Sequence, residues 1–135
     1  MMKEIFGVAD DPPARRRWFH DDYFDLFVWQ AEGEITLFQL CYGLHTSERA
    51  LVWDRRRGFF HDGLASGAPH EVLADRLAAD APPSADPVIA RFQDAARGLP
   101  DDIRLMVSTR VFEYAKKGPA TTARRRTFRR AAWQL

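Results

Sequence analysis

Four short polar groupings hold the residues able to do chemistry. His20-Asp21-Asp22 is the densest. A carboxylate beside an imidazole orients it for proton transfer. The same three residues also suit a polar turn leading into a strand. Asp25 lies between Phe24 and Leu26 in an apolar run. Buried there, its charge demands a partner; at a sheet edge, it simply points outward. His61-Asp62 and His70-Glu71 are the third and fourth groupings, and His45 falls in a turn. His20, Asp22, Asp25 and His61 are therefore the catalytic candidates for a small hydrolase or isomerase.

The competing chemistries have weaker support. Cys41 is the only cysteine and sits between Leu40 and Tyr42, which suits an inert buried thiol. A lone cysteine rules out an intrachain disulfide and favours a reducing compartment. No histidine pair has zinc-binding spacing, so no metal site is expected. No glycine-rich phosphate loop or dinucleotide fingerprint occurs, so no cofactor is expected.

The elements that must position these residues follow from the apolar patterning. Tyr23 to Gln30, YFDLFVWQ, is rich in strand-favouring residues. Gly33 supplies the positive φ of a tight turn. Ile35 to Tyr42, Glu48 to Asp54 and Phe59 to Asp62 read as three further strands, with turns at Gly43–Ser47 and Arg55–Gly58. Short links between consecutive strands imply antiparallel neighbours. Pro69 opens a helix that ends by Ala81. Asp86 and Pro87 start a second, with Val88, Ile89, Phe92 and Ala96 on one face and Gly98 beyond its end. Pro100-Asp101-Asp102 opens a third, in which Ile103, Met106, Val107, Arg110, Val111 and Tyr114 recur at helical spacing. Its β-branched residues also permit a strand. The expected fold is α+β: an N-terminal antiparallel β-meander of about four strands, followed by two to three C-terminal helices.

At 135 residues, one domain is expected. Residues 1–17 read as a flexible arm, because Pro12 and Pro13 disfavour regular structure. Residues 18–118 form the domain, and residues 119–135 a basic tail that is either disordered or an amphipathic helix. No segment has a secretory signal's apolar core or the length of a membrane span. A cytoplasmic protein without membrane contact is the expectation.

The net charge of +1 conceals an uneven distribution. Residues 114–135 hold seven cations and no acid, leaving 13 cations against all 19 acids in residues 1–113. Three arginine triplets stand out: Arg15–Arg17, Arg55-Arg56-Arg57 and Arg124-Arg125-Arg126. Converging in space, Arg55–Arg57 and Arg124–Arg126 would form an anion or nucleic-acid patch, with Phe128 and Trp133 available for stacking. The bias to Arg and Ala also fits a GC-rich coding sequence.

Strand alternation assigns Phe24, Leu26, Val28, Ile35, Leu37, Cys41, Leu51, Trp53 and Phe60 to one sheet face, with Gln39 and Arg49. Tyr23, Phe27, Trp29, Phe38, Leu40, Tyr42, Ala50, Val52 and Phe59 fall on the other, with Asp25, Thr36, Glu48, Asp54 and His61. Neither face is polar enough for water. The helices can cover one. The other, carrying Tyr23, Phe27, Trp29, Phe38 and Tyr42, is the expected binding face for a small molecule, a protein or a second copy in a homodimer. The leading expectation is thus a non-enzymatic binding or interaction module. Nucleic-acid association through the tail is the alternative. The stretches WFHDDYFDLFVWQ, FQLCYG and ERALVWD resemble a group of small uncharacterised bacterial proteins over residues 17–62. That resemblance implies a bacterial origin and brings no activity with it.

Overall fold

Strand pairing begins further toward the N-terminus than the apolar patterning suggests. The computed structural model describes residues 1–43, 49–62 and 87–117. It shows an antiparallel sheet of six strands in sequential order. They are β1 (Lys3–Ile5), β2 (Arg15–His20), β3 (Phe24–Ala31), β4 (Glu34–Tyr42), β5 (Arg49–Asp54) and β6 (Gly58–Asp62). Two helices follow among the described residues, α1 (Pro87–Ala95) and α2 (Asp101–Lys117), joined through a 3-10 turn at Ala96–Gly98. The expected α+β meander with C-terminal helices is present, but with six strands instead of about four.

The two additional strands, β1 and β2, lie mostly within the segment read as a flexible arm. Pro12 and Pro13 do not interrupt a strand; they form the corner of the β1–β2 connection. Asp11 and Ala14 close that corner by exchanging backbone hydrogen bonds of 3.0 and 2.8 Å. Strand β2 reads RRRWFH, too cationic for an apolar pattern to reveal. Its faces alternate nonetheless. Phe19 is buried toward the helices, while Trp18 packs on the opposite face.

Helix α2 resolves the ambiguity of residues 101–117 in favour of helix. Ile103, Val107, Val111 and Tyr114 are buried along one stripe against the sheet. Arg110 stays half-exposed on that stripe, its guanidinium over the Trp53 ring at 4.8 Å. In α1, Ile89 and Phe92 are fully buried and Phe92 meets Phe24 edge-on at 5.9 Å. The helix expected at 69–81, the Asp86 cap, His45, His70 and the tail with Arg124, Arg125 and Arg126 lie outside the described residues.

The face assignment needs correction in β4 and β6. Glu32 and Gly33 both have positive φ, 54° and 80°, as a two-residue hairpin turn requires. That turn pairs Ala31 with Glu34 and Gln30 with Ile35, but Trp29 then pairs with Leu37. Thr36 is the extra residue of a β-bulge. One extra residue exchanges every following side chain between faces. Phe38, Leu40 and Tyr42 therefore join Phe24, Leu26 and Val28 under the helices. Leu37 and Cys41 join Phe27 and Trp29 on the other side. In β6, the turn at Arg55–Arg57 pairs Asp54 with Gly58 and Trp53 with Phe59, so Phe59 and His61 face the helices and Phe60 does not.

Candidate functional site

The expected aromatic binding face does not exist as one surface. Phe27 and Trp29 lie on one side of the sheet, and Phe38 and Tyr42 on the helix side. All four are buried within the single chain, which removes the exposed patch that motivated a homodimer. Tyr23 is half-buried at the strand end, with Arg91 over its ring at 4.1 Å. Among the described residues, only Met1, Phe6 and Leu105 are large exposed hydrophobics.

Strand register builds a different arrangement on the side facing away from α1 and α2. Lys3 pairs with His20, His20 with Asp25, Asp25 with Cys41, and Cys41 with Ala50. Directly opposed residues share a face, so these five form one row across the sheet. The neighbouring row runs Ile5, Trp18, Phe27, Gln39, Val52 and Phe60. A polar row thus lies beside an apolar one.

Asp25 is the buried carboxylate of that row, its side chain 2% exposed. One oxygen, Oδ1, accepts from Trp18 Nε1 at 2.7 Å and lies 2.6 Å from His20 Nδ1. A carboxylate accepts, so Nδ1 donates, and in the neutral imidazole Nε2 keeps its lone pair. The His20 side chain is 42% exposed. Of the catalytic candidates, His20 and Asp25 are thus brought together. Asp22 is exposed in the β2–β3 turn. Asp21 builds that turn, its Oδ1 accepting from Tyr23 N and Phe24 N at 2.8 Å each.

His61 lies on the opposite face, in a buried polar chain. Its Nε2 is 2.5 Å from Tyr42 Oη and its Nδ1 3.1 Å from Tyr114 Oη. A neutral imidazole offers one donor and one acceptor, so one tyrosine donates to it and the other accepts. Burial, and secondarily Tyr42, push the Tyr114 hydroxyl well above the usual tyrosine range. This chain satisfies polar atoms between α2 and the sheet. Cys41 is buried, and Gln39 Nε2 approaches its sulfur at 3.5 Å. No group of three potential metal ligands occurs among the described residues.

Of the arginine triplets, Arg15–Arg17 and Arg55–Arg57 lie within the described residues and Arg124–Arg126 outside them. Arg16 and Arg17 alternate across the sheet, and Arg17 makes two 2.8 Å bonds to Glu4. That hydrogen-bonded carboxylate holds the Arg17 guanidinium above its ordinary value. Arg55 pairs with Glu34 at 3.2 Å. Arg55, Arg56 and Arg57 are exposed in the β5–β6 turn.

At that end of the sheet, α2 and the two hairpin ends enclose a cleft of about 470 Å³. Gly33, Glu34, Ile35, Trp53, Asp54, Arg55, Gly58, Asp102, Met106 and Arg110 line it. Trp53 forms an apolar floor, stacked at 6.0 Å on Phe38. Arg110 forms one wall, bonded to Glu113 at 2.7 Å.

Sequence reasoning missed Trp18 as the donor to Asp25, Lys3 beside His20, Tyr114 beside His61, and the cleft. The first two were accessible only by recognising β1 and β2 as strands. The others need the packing of α2. The chain matches no family model, no curated protein and no solved structure. No helix among the described residues is long and apolar enough to cross a membrane.

Proposed function

We propose that the chain is a small binding module whose ligand site is the cleft between α2 and the hairpin ends. The observation that carries this reading is the lining itself. A largely buried indole and the Met106 side chain offer an apolar seat beside the Arg110 guanidinium and the Asp54 and Asp102 carboxylates. Concave sites of some hundreds of Å³ with an apolar floor and a few convergent polar groups are the usual form of small-molecule sites. The occupant that suits it is a small planar ring with one polar head group. The sheet and α2 supply rigid walls, so little ordering is required on binding.

This reading keeps the binding module expected from sequence but moves its surface. The aromatic face is internal, whereas the cleft is open. Benzoate, benzyl alcohol and benzamidine carry one ring with anionic, neutral and cationic heads. Titrated into the labelled chain, at least one should shift the Trp53 indole and Met106 methyl resonances in a saturable manner. Met106→Trp should fill the cleft and remove that response. Unmoved Trp53 and Met106 signals with all three compounds at millimolar concentration would refute the assignment.

A further inference from the structure

We propose that His20, with Asp25 behind it and Lys3 beside it, is a general-base site for the hydrolysis of small carboxylic esters. The site lies on the sheet face away from α1 and α2 and is separate from the cleft. Three observations converge on it.

The first is the gradient of burial. Asp25 is enclosed, its side chain 2% exposed, while its partner His20 is 42% exposed. A charge held in that way orients an imidazole and stabilises the imidazolium formed during proton transfer. The second is the double acceptance at one carboxylate oxygen. Trp18 Nε1 at 2.7 Å fixes Asp25 Oδ1 where His20 Nδ1 meets it at 2.6 Å. The indole therefore positions Asp25, and Asp25 positions His20, leaving Nε2 as the base. The third is the register. Lys3 is the direct cross-strand neighbour of His20 on the side opposite Asp25. Opposed Cβ atoms lie about 5 Å apart, so an ammonium stands within side-chain reach of any group bound at Nε2.

The substrate class follows from these neighbours. The indole of Trp18, at 6.2 Å and edge-on to the His20 ring, and Ile5 beyond it give an apolar strip for an acyl or aryl group. One lysine matches the single oxyanion of a tetrahedral acyl intermediate. A phosphate monoester would need more cations than this row provides. The steps balance without a further reagent. Nε2 removes a proton from water as the water oxygen bonds to the carbonyl carbon, and the carbonyl electron pair moves to oxygen near Lys3. That pair then reforms the carbonyl, the bond to the leaving oxygen breaks, and the leaving oxygen takes the proton from Nε2. Ester and water give acid and alcohol.

Hydrolysis of 4-nitrophenyl acetate by the full chain tests the proposal. His20→Gln, at a half-exposed position, should lower the protein-dependent rate by about a hundredfold. Lys3→Met should lower it without altering the fold. Nitrogen-15 spectra of the wild-type imidazoles near about pH 8, where histidine is ordinarily neutral, should place the His20 proton on Nδ1. Asp25→Asn should lose that signature and the rate together. An undiminished rate in His20→Gln, or a His20 proton on Nε2 in the wild type, overturns the assignment. The spectrum of the unmodified chain decides even if the Asp25 variant does not fold.

Discussion

Gly98 lies against the backbone of Met2, so closely that a Cβ at position 98 would stand 2.1 Å from the Met2 carbonyl oxygen. Met2 N also donates to Ala95 O at 2.9 Å, and the Met2 side chain is buried. The N-terminus is thereby pinned to the end of α1, which holds β1 beside β2. Gly98→Ala should displace Met2 and destabilise the fold by about 1–3 kcal/mol, the usual cost of overpacking. Urea denaturation measures the loss, and amide exchange should accelerate first in residues 2–5.

The placing of Thr36 in a bulge, outside the regular pairing, decides which side of the sheet β4 presents to the helices. Its side chain contributes little, since Thr36 Oγ1 reaches Trp29 O only at 3.4 Å. Thr36→Ala should therefore cost under about 1 kcal/mol. Deleting Thr36 should also be tolerated: it removes the bulge while Gln30 stays opposite Ile35 and Trp29 opposite Leu37, so Phe38, Leu40 and Tyr42 remain under the helices. The deletion variant should keep a cooperative thermal transition and its near-ultraviolet circular dichroism.

Tyr114 and His61 share a buried hydrogen bond of 3.1 Å. Tyr114→Phe removes that hydrogen bond between buried groups and should cost about 0.5–1.5 kcal/mol. The pH dependence has a definite sign. Burial raises the Tyr114 hydroxyl in the folded chain, so the unfolded chain loses that proton first, above about pH 10. Stability from this group is complete below that pH and declines as the pH rises beyond it. Denaturation at pH 9 and at about pH 11 should show a smaller decline in Tyr114→Phe than in the parent.

Glu32 occupies the left-handed region at φ 54°, a conformation that asparagine and glycine tolerate better. Its side chain is exposed in the β3–β4 turn. Glu32→Asn should raise stability by about 0.5–1 kcal/mol without shifting the sheet register. A thermal melt alongside chemical shifts of Gln30 and Ile35 checks both parts.

The local patterns were the legible ones. Apolar runs broken by Gly33 and Arg55–Gly58 marked β3 to β6, and helical spacing from Ile103 to Tyr114 marked α2, because these signals depend on neighbours within a few residues. Asp25 also stood out as a carboxylate in an apolar strand. Its partners did not. Trp18 and His20 reach it only through a strand whose cationic and proline-flanked sequence conceals it.

By itself, then, the sequence determined where most strands and helices lie and which residues could do chemistry. The tertiary structure decided which of those residues meet. A single residue, Thr36, reversed the faces of β4 and dissolved the aromatic surface, because side-chain direction in a strand alternates with a period of two and any insertion inverts it. The pairing of β1 with β2 and of β2 with β3 then set Lys3, His20 and Asp25 in one row. Such pairings are long-range: they become favourable only once distant segments bury apolar area together, and no short window of sequence contains that information.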